Sequence, residues 1–312
     1  MSRGAAATLI AAQLLAGGCL GSLYRTKPRV AVVDGDPIVQ MYEPGAMPTL
    51  DHPSYVSFRH HSDPPFSDER VVGVGLGAPR AYPLGLLDGY EVVNDEAAGV
   101  PYVVARCALT DFVGVLDRRV GGQTLTFENS GALWRDMLVL RDRETGTYWS
   151  PASGRALSGP LEGERLRTLP AYITTAEAWE ELLPESVCLD TGDLSAVSLR
   201  LKLYASSGWE GLSGRKSQDR RLSARERVFF VSEGSESVAF TSAEIRRLKS
   251  VRIRLSDRTL LLEWDGAMRS PRAYRVDASE AREERPVIPM YWFAALRHFP
   301  EVRTLSELTP GS

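Results

Sequence analysis

The sequence is poor in the residues that carry most enzyme chemistry. Its 312 residues include three cysteines (Cys19, Cys107, Cys188) and four histidines (His52, His60, His61, His298). Three thiols cannot build a disulfide framework, even in a compartment that permits one. There is no CxxC pair to form a dithiol redox couple, and no cysteine-rich zinc spacing. A G-x-S-x-G elbow, an H-E-x-x-H helix and a Walker loop are also missing. Gly73-x-Gly75-x-Gly77 lies in a strand pattern and lacks the helix that a dinucleotide fingerprint needs. Lysine is scarce. With 37 basic against 40 acidic residues the net charge is -3, which argues against a nucleic-acid surface. Beyond the leader, no apolar run approaches the length of a bilayer span.

The start of the chain carries an address. Arg3 is the only charge in the first two dozen residues, and an apolar stretch from Ala5 to Ala16 precedes Gly17-Gly18-Cys19. A basic tip, a short apolar run and small residues describe a secretory signal over 1–18. A cysteine directly after such a segment fits a bacterial lipoprotein signal, in which Cys19 becomes the lipidated first residue. Ala16 stands where leucine is usual, with Leu15 one step earlier. An ordinary cleaved signal peptide is the alternative. The expected location is extracytoplasmic, at the periplasm or cell surface, with the membrane as partner through the lipid.

The roughly 290 residues that remain can bury one large core or two smaller ones. Residues 19–45 suggest a tether and an edge segment, with Val30 to Val33 leading into the turn Asp34-Gly35-Asp36. Residues 46–192 form a main β-rich domain of short strands and turns. Val113 to Val120, Gly121-Gly122, then Gln123 to Phe127 predicts a hairpin whose glycines supply the positive φ of a tight turn. Thr174-x-x-Glu177 predicts a capping box for a helix carrying Ala178, Trp179, Leu182 and Leu183, stopped by Pro184. Residues 193–227 suggest a linker loop, of which 206–227 are rich in Ser, Gly and Arg and suggest a solvated stretch. Glu210, Asp219 and Glu226 interrupt its basic cluster. Residues 228–312 form a smaller C-terminal half that echoes the first. Arg70-Val71-Val72-Gly73-Val74 answers to Arg227-Val228-Phe229-Phe230-Val231, and Ala81-Tyr82 to Ala239-Phe240. Each half ends in an aromatic helix running into Pro-Glu, at Pro184-Glu185 and Pro300-Glu301. The fold class is therefore α+β and β-rich, with antiparallel strands, a few helices and two unequal repeated halves.

Several blocks resemble one bacterial family, the domain of unknown function numbered 3179. They are Asp51-His52-Pro53-Ser54-Tyr55-Val56, Arg80-Ala81-Tyr82-Pro83-Leu84, Glu91-Val92-Val93-Asn94-Asp95 and Gly99-Val100-Pro101. Ser130-Gly131, Leu138-Val139, Asp142-Arg143, Trp149-Ser150 and Gly159-Pro160-Leu161 follow in order. The departures bear on function. Where the family has H-E-I-V-N-D, this chain has Tyr90 in the histidine position. Where it has C-P-L-C-G-S, Thr110 replaces the second cysteine. Where it has L-Y-N-S-N-L, the chain reads Leu133-Trp134-Arg135-Asp136-Met137-Leu138. A histidine near two cysteines suits soft-metal or thiol chemistry, and one member of that grouping survives.

Cys107 closes an apolar run. As a nucleophile or single metal ligand it would draw on Arg106 to lower its pKa, with Glu91 or Asp95 nearby. As a small buried hydrophobe it would fill a strand end, and without an adjacent histidine that reading is preferred. A Cys107–Cys188 disulfide is allowed by the compartment. Glu91, Asn94 and Asp95 could form an acid/base group, although Asn94-Asp95-Glu96 also suits a plain turn, the preferred role. Arg135-Asp136 suggests a partly buried ion pair. His60 and His61 suit an exposed loop, and His298 a helix end.

The expected function is a non-catalytic binding or accessory protein with no cofactor, its small ligand or protein partner held in a cleft among Tyr90, Cys107, Trp134 and Trp149. One alternative is a thiol or copper-binding redox protein acting through Cys107. A weaker one is a hydrolase using Glu91 or Asp95.

Overall fold

The computed structural model describes residues 24–57, 70–190, 204 and 206–309. The leader with Cys19, the pair His60-His61 and residues 191–203 lie outside the described residues. Strand occupies 48% and helix 14%, so the chain is a β-rich α+β protein of mostly antiparallel sheets. No helix among the described residues is long and apolar enough to cross a membrane.

The faint sequence echo is a repeat of topology. In the first half the strands Arg70–Val74 and Arg80–Pro83 form a hairpin that leads into the helix Leu84–Tyr90. An antiparallel meander follows, Val92–Ala97, Val100–Cys107 and Phe112–Asp117. The strand Tyr172–Thr175 then returns to pair with Arg70–Val74. After the helix Ala176–Leu182, the strand Val187–Asp190 joins Arg80–Pro83 in parallel. The second half repeats this order. The hairpin Arg227–Glu233 with Glu236–Phe240 leads to the helix Ser242–Leu248 and a four-stranded meander. Ile288–Tyr291 returns to the hairpin, the helix Trp292–His298 follows, and Arg303–Thr304 joins in parallel. Even the register is kept, with Gly73 opposite Ala81 and Phe230 opposite Ala239.

Bulk is exchanged between equivalent positions. A Cβ on Gly73 would lie 1.9 Å from a ring carbon of Trp179, so only glycine admits that indole. In the second half Phe230 stands where Gly73 does, and Ala295 stands in the helix position of Trp179. Glycine and tryptophan in one half are thus answered by phenylalanine and alanine in the other, a pair of similar summed volume.

The first half carries an extra six-stranded sheet, ordered Arg29–Val33, Asp36–Gln40, Phe127–Trp134, Met137–Asp142, Tyr148–Trp149 and Ala156–Ser158. The Gly121-Gly122 hairpin forms as expected, both glycines having positive φ (57° and 79°). The helix cap is shifted by one residue from expectation. Thr175 Oγ1 accepts the Ala178 N–H at 3.2 Å, while Thr174 lies within the strand Tyr172–Thr175, is buried and donates to the Met268 carbonyl.

The halves share their core. Val72, Tyr82 and Val104 pack in one cluster with Phe240, Leu260 and Leu262. Residues 207–226 contain no helix or strand, and the segment is tied down as a strap. Trp292 N donates to Glu226 O at 2.9 Å and Phe293 N to Ala224 O at 2.8 Å. Arg225 lies over the rings of Tyr204 and Tyr291 (5.0 and 4.8 Å), and Arg221 pairs with Asp219 and Glu307.

One carboxylate ties the halves electrostatically. Asp111, 3% exposed, accepts from Arg106 at 2.8 Å and from Arg227, and Arg70 lies 3.6 Å away. Burial alone would raise its pKa, but Arg106, Arg227 and Arg70 together hold it far below the usual carboxylate range. Asp111→Asn should therefore cost about 3–5 kcal/mol in urea unfolding, because three guanidinium groups lose their counter-charge. A carboxylate with a depressed native pKa stabilises above its unfolded value and loses that effect as pH falls through the native value. The gap between wild type and variant should be flat above about pH 5 and close in acid. A variant as stable as wild type at pH 7 would refute the assignment.

Candidate functional site

Trp134 and Met137 pair across a two-residue turn in which Arg135 and Asp136 both have positive φ (53° and 66°), the geometry of a type I′ hairpin. The two turn residues do not pair with each other, contrary to the sequence expectation. Their side chains leave in different directions. Arg135 lies over the Trp134 ring at 4.3 Å and bonds Asp36 at 2.9 Å. Asp136 is buried and accepts the Leu212 and Ser213 backbone N–H groups, both at 2.7 Å, and Arg297 at 2.7 Å. It pins the strap to the sheet.

Beside this turn the extra sheet meets the second half, and a cleft of about 570 Å³ opens between them. Trp134, His298 and Phe299 line its aromatic part. The His298 ring stands edge-on to Trp134 at 5.3 Å. Neither ring nitrogen of His298 has a hydrogen-bond partner among the described residues, and both are buried. A backbone group of Arg135 lies close without meeting hydrogen-bond geometry. Burial, with Arg135 and Arg297 adding, pulls the imidazole pKa down to about 3, so the ring is neutral at pH 7. A neutral imidazole has one donor and one acceptor, and leaving such groups unmet costs about 1–3 kcal/mol each.

The cleft walls differ in charge. The first half contributes Arg135, Arg155, Arg165 and Arg167 against one acid, Asp34. The second contributes Glu236, Glu283, Glu284 and Glu301 against one base, Arg285. Of the candidate site residues chosen from sequence, Trp134 and Arg135 line this cleft, and His298, expected only as a helix end, is the last residue of its helix and lines it as well. His298, Arg155, Arg165 and Arg167 were missed as a group. The alternation Arg165-x-Arg167 before the strand Thr168–Leu169 is the one local signal, since residues two apart in extended chain share a face.

The other sequence candidates lie elsewhere. Cys107 ends its strand in the core beside Phe112, Phe127 and Trp149. Its Sγ accepts the Leu138 N–H at 3.4 Å, and burial, with Glu91 adding, pushes the thiol up to about 11. Arg106 does not activate it, being held by Asp88 and Asp111 at 2.8 Å each. Cys107 and Cys188 are both free, so the disulfide is not formed. Among the described residues no three His, Cys, Asp or Glu side chains converge to hold a metal. Thr110, in the second-cysteine position, is buried and donates to the Cys107 carbonyl at 3.4 Å, while its own carbonyl accepts the Tyr291 N–H at 2.7 Å. Trp149 is fully buried and donates to Asp142 at 2.8 Å. Tyr90 is the last residue of the helix Leu84–Tyr90, with Glu91 as its left-handed cap.

Asn94 and Asp95 are not in a turn. They lie in the buried strand Val92–Ala97, where the pleat sends their side chains to opposite faces. Asn94 donates to Asp51 (2.8 Å) and to the Phe127 carbonyl (2.7 Å), and accepts the Phe127 N–H (2.9 Å). Asp95 accepts from Arg80 and from the hydroxyls of Tyr55, Tyr82 and Tyr102. Burial would raise its pKa, but Arg80 and the tyrosine hydroxyls hold it below the carboxylate range. Three of the blocks quoted for the family resemblance, those holding Tyr55, Arg80-Ala81-Tyr82 and Asp95, thus meet in this polar cluster. Glu91 belongs to a separate network, accepting from Asn129.

The chain matches the family described as "Protein of unknown function (DUF3179)" over residues 44–302, and it belongs to that family. No curated protein and no solved structure matches it.

Burial, with Asp88 adding, pushes Glu91 up to about 8 against Arg106 and Asn129. The native state then holds a proton that the unfolded chain releases near pH 4, so this residue costs stability increasingly as pH rises from about 4 to 8. Glu91→Gln should be more stable than wild type by about 1–3 kcal/mol at pH 8 and equal to it near pH 4, read by urea unfolding. A pH-independent difference would sink that assignment. In a full-length Cys19→Ser chain, no thiol should react with a disulfide reagent at pH 7.5, and two should react after unfolding in guanidinium. A fast-reacting equivalent mapped to Cys107 by mass spectrometry would restore the thiol reading.

Proposed function

We propose that the protein is a non-catalytic binding protein, anchored outside the cytoplasm through a lipid on Cys19, with its ligand taken in the cleft beside Trp134. The apolar run from Ala5 to Ala16 before Gly17-Gly18-Cys19 supports the anchoring part of this reading. The observation that carries the binding part is the cleft itself. Its volume of about 570 Å³ lies in the range of small-ligand sites, and it combines an aromatic surface with charged walls and an unpartnered imidazole. The buried, unactivated thiol weighs against the redox alternative. The separation of Glu91 and Asp95 into different hydrogen-bond networks weighs against a paired-carboxylate hydrolase.

The test is thermal unfolding of the full-length chain against amino acids, short peptides, sugars and phosphate esters. At a hundredfold excess over Kd, a ligand of the native state should raise the midpoint by about 5 °C. The rise should vanish in Ser235→Trp, which places an indole in the cleft from an exposed turn. A rise that persists in Ser235→Trp, or none with any compound class, rejects the cleft as the site.

A further inference from the structure

A basic recess lies where the described chain begins, and what faces it follows from a lipid on Cys19, the reading on which this inference rests. Tyr24 is 8% exposed and packs with Val39 and Leu133, so the chain is pinned to the extra sheet at that point. Cys19 stands five residues earlier. Five residues of chain span at most about 18 Å. An anchored Cys19 therefore keeps Tyr24 within that distance of the bilayer surface. Beside Tyr24 a recess of about 390 Å³ is lined by Arg25, Lys27, Arg29 and Arg215, and none of the described residues lining it is acidic. Arg25 and Arg29 are exposed, and Lys27 donates to the Met41 carbonyl at 3.1 Å. Arg215 is paired with Asp36, an acid that Arg135 also holds. Four cations thus gather around one recess of a chain whose net charge is -3.

The edge strand Arg29–Val33 continues this surface with apolar groups. Val30 and Val32 are 37% and 62% exposed. Arg29 is opposite Val39 and Val32 opposite Pro37, and both partners line the recess. We propose that this face docks on the anionic headgroups of the bilayer that holds the lipid. Arg25, Lys27, Arg29 and Arg215 meet the phosphates, and Val30 and Val32 enter the headgroup boundary. Cations beside exposed apolar side chains are the combination by which a protein lies on an anionic membrane. An acidic protein would match the charge, but the short tether favours the surface that is always within reach. Docking would also set how the cleft faces the bilayer, because Asp34, in the turn of the same hairpin, lines the cleft.

The experiment uses the full chain, processed and extracted from membranes, with an environment-sensitive fluorophore on Val32→Cys. Cys107 and Cys188 are buried and take no label. The chain is reconstituted into phosphatidylcholine vesicles with or without about a third phosphatidylglycerol, and nitroxide-bearing lipid serves as quencher. The label should be quenched in the anionic vesicles and not in the neutral ones, and released when salt rises from about 0.1 to about 1 M. Arg25→Glu with Arg29→Glu should lower the ratio of docked to undocked chain by roughly twenty-five times or more, about fivefold for each positive charge removed. A label on Leu182→Cys, exposed on a helix outside this sheet, should stay unquenched throughout. Circular dichroism and the unfolding midpoint confirm that the variants fold. A lipidated chain whose Val32 label stays in water overturns the docking and leaves the anchor standing. Equal quenching in neutral vesicles, or in the double variant, does the same. A mass spectrum showing no lipid on Cys19 overturns both.

Discussion

Asp111 is the constraint from which the rest of the molecule follows. Arg70 and Arg227 occupy equivalent positions at the start of the first hairpin strand in the two halves, and both reach this one carboxylate. Arg106 completes the group and is itself held by Asp88. A carboxylate with so little contact with water is tolerated only because its charge is answered from several sides. The arrangement fixes where the second half sits on the first. The loop carrying Asp111 also receives the Tyr291 N–H at Thr110 and the Tyr204 hydroxyl at Leu109, so strand, strap and ion group converge on three consecutive residues.

Two halves locked in this way share one apolar core instead of burying two small ones. The exchange of bulk between Gly73 with Trp179 and Phe230 with Ala295 lets them diverge without a change of volume. Divergence is greatest in the extra sheet, which only the first half carries. The cleft opens where that sheet overhangs the second half. Its polarised walls therefore come from different halves, and the charge asymmetry is a property of their docking rather than of any local motif.

What could be read in the sequence follows the range of each signal. The Gly121-Gly122 hairpin is local, because two adjacent positive φ values need residues that tolerate them, and it was legible. The repeat was legible from Arg70 and Arg227 onwards, because hairpin strands keep their apolar spacing. Asn94-Asp95 misled, since the same residues that favour turns also satisfy buried backbone and tyrosine groups, and only tertiary packing tells the cases apart. Thr174 and Thr175 are both competent caps, and the strand's register decides which of them starts the helix. Arg135-Asp136 suggested an ion pair by adjacency, whereas a tight turn sends neighbouring side chains apart. The cleft was not legible, because its lining joins residues as distant in sequence as Trp134 and His298, which come together only once the halves have docked.

The departures from the family pattern acquire a physical meaning in this frame. Positions suited to thiol or metal chemistry have become packing positions. Thr110 bonds Cys107's carbonyl and receives the second half, and Cys107 is an apolar filler with a suppressed ionisation. The segment from Trp134 to Asp136 departs from the family equally, but its side chains do three distinct things. Trp134 supports the His298 ring at the cleft, Arg135 covers the indole, and Asp136 holds both the strap and Arg297. The two departures thus lie in different sheets, one in the core and one at the cleft. Beside that turn the cleft keeps a buried imidazole whose two ring nitrogens have no hydrogen-bond partner among the described residues, a costly group to retain.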